Sequence, residues 1–276
     1  MSIIDLYCPI CSFKVGNFSN GQLNSLESCQ NCGFEIKNLN GVPCLRETCE
    51  NLNYLKFSSS LPSYNSSDLD IPFINTALDS GLATLQIGGG IDLCSAENLI
   101  KSDAYLYSKD MDLICDAHCL PFKSESFSFV YALAVFEHLH SPWIAADEIF
   151  RVLKPGGRVF VLTAFMQHLH GYPNHYFNMT IPGLERIFSN FDIIETKPSK
   201  KTSFNQLSYI IMDFHNFVSE LKPFSKYSKI INKSNDIKNE FCSLVDQVDA
   251  DLLNQIDSFK NWAKIAPSLE ITAIKK

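Results

Sequence analysis

The chain has 276 residues, of which 46% are hydrophobic and 19% are charged, and its formal net charge is −7. This length accommodates one full α/β domain with a smaller appendage, and the composition is that of a globular protein. The acidic balance counts against nucleic acid as the main partner, because phosphate binding requires a basic surface. The apolar runs are too short for a transmembrane segment and the N-terminus has no signal-peptide pattern, so a cytoplasmic location is expected.

Four cysteines near the N-terminus form two C-x2-C pairs, Cys8 with Cys11 and Cys29 with Cys32. Each pair can offer two thiolates from one tight turn, and two facing turns complete a tetrahedral four-sulfur site for Zn²⁺. Four sulfur ligands leave no open position, so the predicted zinc is structural and stabilises a segment too small to have much core. We predict a zinc ribbon over residues 1–45, followed by a linker over residues 46–70.

A short apolar run over residues 83–87 ends in three consecutive glycines. This pattern is typical of a central strand that turns sharply into the next element. Glycines at the carboxyl end of a parallel strand let a ligand lie directly on the backbone. We therefore interpret Gly88, Gly89 and Gly90 as a candidate binding loop, an interpretation that depends on the segments downstream.

Those downstream segments alternate between predicted strands and helices, as in a parallel α/β sheet. Strands are predicted at residues 105–108, 111–115, 127–133, 158–163, 191–196 and 271–275. The helix before the fourth of these strands begins with Ser141 and Pro142, and Gly156 and Gly157 are predicted to end it. Residues 203–267 carry apolar stripes at helical spacing and are predicted to be helical.

Three segments carry a family resemblance: Asp116-Ala117-His118, Phe136-Glu137-His138-Leu139, and the run from Arg151 to Gly157. Together they resemble the second half of a class I S-adenosyl-L-methionine (SAM) methyltransferase with a type 11-like domain. The resemblance implies an α/β fold with a Rossmann-like seven-stranded sheet whose last strand is antiparallel. This domain would occupy residues 71–276, with a helical insertion at about residues 203–267, and its cofactor would be SAM.

The resemblance also assigns residues to the cofactor. In such enzymes the glycine loop carries the methionine part of SAM, an acid after the second strand binds the ribose, and an acid after the third strand accepts a hydrogen bond from the adenine. Gln86 departs from the family by replacing an acid, and Asp92, in place of a third glycine, could supply the missing charge. Ser108 and Asp110 are both candidates for the ribose. The implied cofactor-binding set is Gln86, Gly88, Gly89, Gly90, Asp92, Ser108, Asp110, Asp116, Ala117 and Ala134.

Methyl transfer to a hydroxyl requires that the acceptor is oriented and loses its proton, a task that suits histidine. His138 and His170 are therefore predicted as catalytic bases, and Gln167, His175 and Tyr176 are predicted to shape the substrate pocket. The segment after the fifth strand resembles a subset of these methyltransferases whose genes lie among those for glycan or lipid modification. The resemblance thus favours a small-molecule or glycan/lipid-linked acceptor, with a hydroxyl as the target.

Two alternatives stay open at this point. The replacements at Gln86 and Asp92 favour a catalytically inactive member of the fold that acts as a binding or scaffold protein. The predicted zinc ribbon would also suit an RNA methyltransferase that uses the ribbon for guidance, although the net charge counts against nucleic acid.

Overall fold

The computed structural model describes residues 3–19, 22–25, 27–47, 65–170, 174–199, 205–220, 228–245 and 266–276. The strands within these ranges are β1 (Ile4–Tyr7), β2 (Lys14–Ser19), β3 (Gln22–Ser25), β4 (Lys37–Leu39), β5 (Val42–Leu45), β6 (Thr84–Ile87), β7 (Leu99–Asp103), β8 (Leu113–Cys115), β9 (Phe127–Leu133), β10 (Leu153–Ala164), β11 (Asp192–Pro198) and β12 (Ser268–Ile274). The α-helices are α1 (Pro72–Asp79), α2 (Pro142–Val152), α3 (Ile181–Ile187), α4 (Asn205–Ser219) and α5 (Ser228–Val245).

The larger sheet has nine strands in the order β11-β12-β10-β9-β6-β7-β8-β5-β4. The strands from β10 across to β5 pair in parallel, and β12 runs antiparallel between β10 and β11. All four residues of β6 are buried, as expected for a strand covered on both faces. This arrangement confirms the predicted α/β sheet with an antiparallel last strand.

The strand that follows β6 is β7, which ends at Asp103, so the strand predicted at residues 105–108 is wrong. Hydrophobic patterning misses β7 because two of its five residues, Lys101 and Ser102, are polar and yet buried. The Lys101 ammonium is satisfied inside the protein, since it donates a hydrogen bond to the backbone carbonyl of Asp92 at 3.0 Å. The strand therefore ends at Asp103, five residues before Ser108.

The helix α2 also ends earlier than predicted, at Val152, and β10 begins at once with Leu153. Gly156 lies inside this strand with φ of +75°, where the pairing with β9 shifts between Leu153 and Arg158. The glycine is needed for this irregularity, because a side chain is disfavoured at positive φ. The prediction that the two glycines stop the helix is therefore wrong.

The first three strands form a small antiparallel sheet in the order β1-β2-β3. Alternate residues of β1, Ile4 and Leu6, are buried together with Val15 and Phe18 of β2. These side chains belong to the same hydrophobic cluster as the core of the large sheet. The N-terminal sheet is therefore packed onto the main domain.

A partly buried hydrogen-bond network fixes the loop on which this small sheet rests. The Arg151 guanidinium donates to the Glu148 carboxylate at 2.7 Å and to the backbone carbonyls of Leu120 and Phe122 at 2.8 and 2.6 Å. The Tyr7 N–H of β1 donates to the backbone carbonyl of Pro121, between Leu120 and Phe122, at 2.9 Å. One side chain of α2 thus holds the loop that receives β1.

The hairpin of β4 and β5 belongs to the large sheet, although the sequence places both strands in the predicted ribbon. Cys44 and Leu45 pair in parallel with Ile114 and Cys115 of β8. Strand pairing satisfies backbone groups that an uncovered β8 would leave at the sheet edge. Cys44, in β5, is disulfide-bonded.

The helical insertion predicted at about residues 203–267 is helical over α4 and α5. Glu220, Ala266 and Pro267 are described and are not helical, and the rest of that prediction lies outside the described residues. Most of the linker predicted at 46–70 is also outside them, but a 3-10 turn at Ser66–Leu69 precedes α1. Among the helices that the structure describes, none combines the length and apolar character that a bilayer crossing requires.

Candidate functional site

A cavity of about 490 Å³ opens at the carboxyl ends of the parallel strands. Each of four strands delivers a residue to its wall: Gly88 follows β6, Asp103 ends β7, Asp116 follows β8 and Ala134 follows β9. Ligands of open α/β sheets bind at this edge, where the strand order reverses. The predicted glycine bend and the predicted Asp116 carboxylate therefore face one common cavity.

Four of the ten predicted cofactor residues line this cavity: Gly88, Ala117, Asp116 and Ala134. The other six lie outside its lining: Gln86, Gly89, Gly90, Asp92, Ser108 and Asp110. Gly88 has φ of +77°, and a Cβ there would collide with the Val135 side chain. Gly89 and Gly90 are buried, and the Tyr107 side chain packs against Gly90. Only the first glycine of the triplet therefore faces the cavity.

The carboxylate of Asp92, predicted to supply charge to the cofactor, is bonded within the protein and lies outside the lining of the cavity. Its Oδ2 accepts a hydrogen bond from the Gln86 amide at 2.6 Å. Its Oδ1 accepts from the backbone N–H groups of Ser66 at 2.9 Å and Cys94 at 2.8 Å. Three donors turn this carboxylate inward, and Asp92 is only 2% exposed. Gln86 and Asp92 form a structural pair behind the glycine loop.

Asp103 is the cavity residue that the sequence interpretation missed. Its Oδ2 accepts a hydrogen bond from the Gly90 N–H at 3.1 Å, and its Oδ1 accepts from the Tyr105 N–H at 3.2 Å. Burial raises the pKa of this carboxyl to about 6, although these backbone hydrogen bonds and the charge of Arg46 act to lower it. The signal that could have found it is an acid at the carboxyl end of a strand.

Ser108 and Asp110, the predicted ribose candidates, bond to each other instead. The Ser108 hydroxyl donates to the Asp110 carboxylate at 3.2 Å, and the Asp110 N–H donates back to that hydroxyl at 3.0 Å. They lie in the loop after β7, because the strand ends before them. Asp103 takes the position that the prediction gave to these two residues.

Asp116 is held in place by His118. The carboxylate Oδ1 accepts from the His118 N–H at 2.9 Å and contacts the ring Nδ1 at 2.6 Å. Burial acts to raise the pKa of Asp116, but hydrogen bonds from His118 and the charge of Arg46 outweigh it and hold the pKa at about 2. The His118 ring stacks on His140 at 4.1 Å. Asp116 is therefore an ionised, positioned acceptor at the cavity wall.

One end of the cavity is polar and aromatic, with His138, His140, Asn174 and Tyr176 in its wall. The His138 Nδ1 lies 2.8 Å from the backbone carbonyl of Asn174. Burial lowers the pKa of His138, and the hydrogen bond to Asn174 partly opposes this. Two predicted residues, His138 and Tyr176, are thus at the cavity.

Three other predicted residues lie beside this end without lining the cavity: His170, His175 and Gln167. The rings of His170 and His175 are 4.3 Å apart, and the His138 ring is 5.4 Å from His170. The Gln167 amide donates to the Ser268 hydroxyl at 2.8 Å, which anchors the segment after β10 to β12. His138, His170 and His175 form one cluster, while the Gln167 side chain is held by its hydrogen bond to Ser268.

The four N-terminal cysteines come together as predicted from their spacing. Sγ atoms lie 3.6 Å apart between Cys8 and Cys32 and 3.5 Å apart between Cys11 and Cys29. Both pairs sit in matching turns, because Ser12 and Gly33 donate N–H bonds of 2.9 Å to the carbonyls of Cys8 and Cys29. Tetrahedral zinc with bonds of about 2.3 Å requires sulfur separations of roughly this size. The donor set therefore fits zinc.

Comparison with known families gives one match. Residues 90–161 match the family model described as "Methyltransferase domain". The match supports a class I methyltransferase domain. The matched residues begin after β6, end within β10, and include Asp103, Asp116 and Ala134. No curated protein sequence matches the chain.

Solved structures of methyltransferases are similar to the chain at low identity. Phosphoethanolamine N-methyltransferase 2 of Haemonchus contortus, in complex with SAM, is 17% identical with a TM-score of 0.40 over 70% of this chain and 48% of that chain. The complex of the Haloferax volcanii Trm112 methyltransferase activator with a methyltransferase gives 12% identity and a TM-score of 0.45, covering 80% and 94%. The match spans about half of the Haemonchus enzyme. The fold assignment therefore rests on strand order and the family match.

Replacing Gly88 should cost more than replacing another glycine of similar backbone conformation. Gly88→Ala adds a Cβ at φ +77° against Val135, whereas Gly156→Ala adds one at φ +75° with nothing within 4 Å. We expect about 1 kcal/mol of lost stability for the control and about 2–4 kcal/mol for Gly88→Ala. Urea unfolding of both variants measures the difference, and equal losses would contradict the close packing at Gly88.

Proposed function

We propose that the protein is a SAM-dependent methyltransferase that acts on a small-molecule or glycan/lipid-linked acceptor, with a hydroxyl as the methylated group. The observation that carries this proposal is the convergence of Gly88, Asp103 and Asp116 on one cavity at the switch point of the sheet. Bare backbone and two carboxylates suit a nucleoside that has hydroxyl and amino donors. The matched methyltransferase domain supports the same reading.

The residues present fit the parts of SAM in a definite order. Gly88, next to β6, would face the methionine part, because its backbone has no side chain to hold a ligand away. Asp103 would accept hydrogen bonds from the ribose hydroxyls, and Asp116 would accept one from the adenine amino group. The bound cofactor supplies a methyl group already activated by its sulfonium. The protein has to orient that group and the acceptor.

The histidine end of the cavity would receive the acceptor. His138, His140 and Tyr176 offer ring nitrogens and a hydroxyl, which suit a hydroxyl-bearing acceptor. We assign His138 and His170 to activation of that hydroxyl, and His175 and Gln167 to holding the surrounding segment. A hydroxyl must lose its proton as its oxygen is methylated, so nitrogen groups at this wall support the chemistry.

We also propose that the four cysteines hold a structural zinc ion. The ribbon sheet packs on the loop held by Arg151, and this loop follows the Asp116 segment directly. Zinc there would act on the cofactor site only through that loop, because four thiolates leave no open coordination position.

One specific observation favours a second candidate, a binding protein that has kept the fold without catalysis. Gln86 replaces the acid usual in the family, and Asp92 is consumed by internal hydrogen bonds. The glycine loop therefore offers no carboxylate of its own to the ammonium of SAM. Calorimetric titration with SAM separates the two candidates, because a protein that has kept the fold but lost SAM affinity would show no binding heat.

Cofactor binding should depend on Asp103 and Asp116 but not on Asp110. Each of Asp103→Asn and Asp116→Ala removes a hydrogen-bond acceptor for a buried donor, and we expect SAM affinity to fall by about ten- to a hundredfold. Asp110→Asn is the matched control, since this exposed carboxylate lies outside the cavity. Isothermal titration calorimetry measures all three. Absence of binding to the unaltered protein would refute the proposed function.

SAM affinity should rise with pH between 5 and 7. The pKa of Asp103 is about 6 in the free protein, and the ionised carboxylate is the better acceptor for two hydroxyls. At pH 5 about one tenth of it is ionised, so affinity should be about tenfold weaker than at pH 7. The folding stability of the free protein should change with pH in the opposite direction. Because the pKa of Asp103 is raised in the folded state, its contribution to stability is lost as the pH rises from 3.8 to about 6. Asp103→Asn should abolish both pH trends. If this variant retained a pH dependence of SAM affinity, a group other than Asp103 would be its cause.

Removal of one ribbon thiolate should release zinc and weaken the fold. Cys11→Ser deletes one of four ligands, and we expect the loss of one zinc per chain and at least about 3 kcal/mol of stability. Cys119→Ser is the control, because this exposed thiol is outside the four-sulfur set. Elemental analysis and urea unfolding are the measurements. Unchanged zinc content in Cys11→Ser would rule out the ribbon site.

A further inference from the structure

Three side chains beside the cavity form a second cluster of potential metal ligands, distinct from the cysteines. Glu137, His138 and His170 each offer one ligand atom, and the three atoms lie within 4.8 Å of one another. Glu137 and His138 lie in the 3-10 turn after β9, while His170 belongs to the segment after β10. The parallel pairing of β9 with β10 brings these two segments to the same end of the sheet.

The carboxylate of Glu137 is buried and only half satisfied. Glu137 is 1% exposed, and its Oε2 accepts a hydrogen bond from the Thr163 hydroxyl at 2.9 Å. Its Oε1 is buried and has no hydrogen-bond partner among the described residues. Among the residues that the structure describes, no lysine or arginine forms an ion pair with the Glu137 carboxylate. A buried carboxylate oxygen without a partner destabilises the folded protein unless it is protonated or binds a cation.

Both histidines present a free ring nitrogen in a fixed orientation. The His138 Nδ1 bonds to the Asn174 carbonyl at 2.8 Å, and the His170 Nδ1 bonds to the His168 carbonyl at 2.9 Å. A carbonyl can only accept, so each Nδ1 carries the proton and each Nε2 keeps its lone pair. Metal-binding histidines typically have this arrangement, in which a backbone carbonyl fixes the ring and its tautomer.

His175 differs from these two, although its ring is close. Its Nδ1 accepts from the His170 N–H at 3.3 Å, and its Nε2 bonds to the Phe177 carbonyl at 3.1 Å. Both of its nitrogens are therefore engaged, so it supports the segment that carries His170. The ligand set has two imidazoles and one carboxylate.

We propose that Glu137, His138 and His170 bind a divalent first-row transition-metal ion at the acceptor end of the cavity. Two imidazoles and one carboxylate suit Zn²⁺, Co²⁺, Fe²⁺ or Mn²⁺ and leave coordination positions open. Bonds of about 2.1 Å place tetrahedral ligand atoms roughly 3.4 Å apart, so binding draws the three side chains inward. The cation would neutralise Glu137 and give its Oε1 a partner.

The ion would also define how the acceptor is recognised. His138 lines the cavity, so a cation bound to it lies at the cavity wall, where open positions can take an acceptor oxygen. A metal ion lowers the pKa of a bound hydroxyl, so His138 and His170 would activate the acceptor through the ion they hold and not as bases themselves. An acceptor with one hydroxyl would bind through a single oxygen, and one with two neighbouring hydroxyls would bind as a chelate. Metal binding itself stands on these three residues, whereas this acceptor role rests on the proposed function.

Cobalt binding to the full chain tests the site directly. The protein is loaded with a single equivalent of zinc, which the four cysteines bind first, and is then titrated with Co²⁺ while the visible spectrum is recorded. We expect one equivalent of cobalt to bind with visible d–d bands and without a thiolate-to-cobalt charge-transfer band. Absence of cobalt binding, or cobalt found only at the cysteines, would overturn the proposal.

Two variants and a control assign the ligands. Glu137→Gln keeps the shape of a buried side chain and removes its charge, and His170→Asn removes the imidazole of a half-buried residue. Each variant should weaken cobalt binding by at least about tenfold. His215→Gln, on α4, removes a histidine outside the cluster and should leave the affinity unchanged. Thermal melting checks that each variant is folded. Unchanged affinity in both folded ligand variants would overturn the proposal.

SAM calorimetry on the same samples separates this inference from the proposed function. Cobalt binding without SAM binding would keep the metal site and refute the methyltransferase. SAM binding without cobalt binding would refute the metal site alone.

Discussion

The reversal of strand order at β6 is the constraint on which the site depends. The chain builds outward from β6 to β7 and β8 on one side and to β9 and β10 on the other. The connections leaving β6 and β9 therefore diverge, and a crevice opens between them at the carboxyl edge. Gly88 and Ala134 stand on its two sides, and both have positive φ, at +77° and +54°. A glycine at the first of these positions and an alanine at the second keep both turns free of long side chains.

Polar residues near the cavity serve two separate purposes. Gln86, Asp92 and Lys101 face inward and bond to one another or to backbone, so they hold the loops that frame β6. Asp103 and Asp116 face the cavity and have opposite pKa displacements, because burial dominates at the first and His118 dominates at the second. Sequence position alone does not distinguish these purposes, since all five residues lie close to strand ends.

The sequence predicts the fold well and the site in part, for physical reasons that differ between residues. The sheet is predictable because β9 and β12 carry continuous or alternating apolar patterns. The four cysteines are predictable because their spacing encodes two tight turns. Asp103 is missed because Lys101 and Ser102 hide its strand, and their burial depends on tertiary hydrogen bonds. The inward turn of Asp92 likewise depends on Ser66, a residue distant in sequence.

The hairpin of β4 and β5 has a consequence for how the chain can be divided. It covers the outer edge of β8, and its own outer strand is only three residues long and begins with the exposed Lys37. Short, charged borders of this kind discourage sheet-to-sheet association between molecules. A version shortened to start after residue 47 would expose the bare flank of a parallel, apolar strand. Self-association would follow from that cut, so the leading segment also protects the protein's colloidal behaviour.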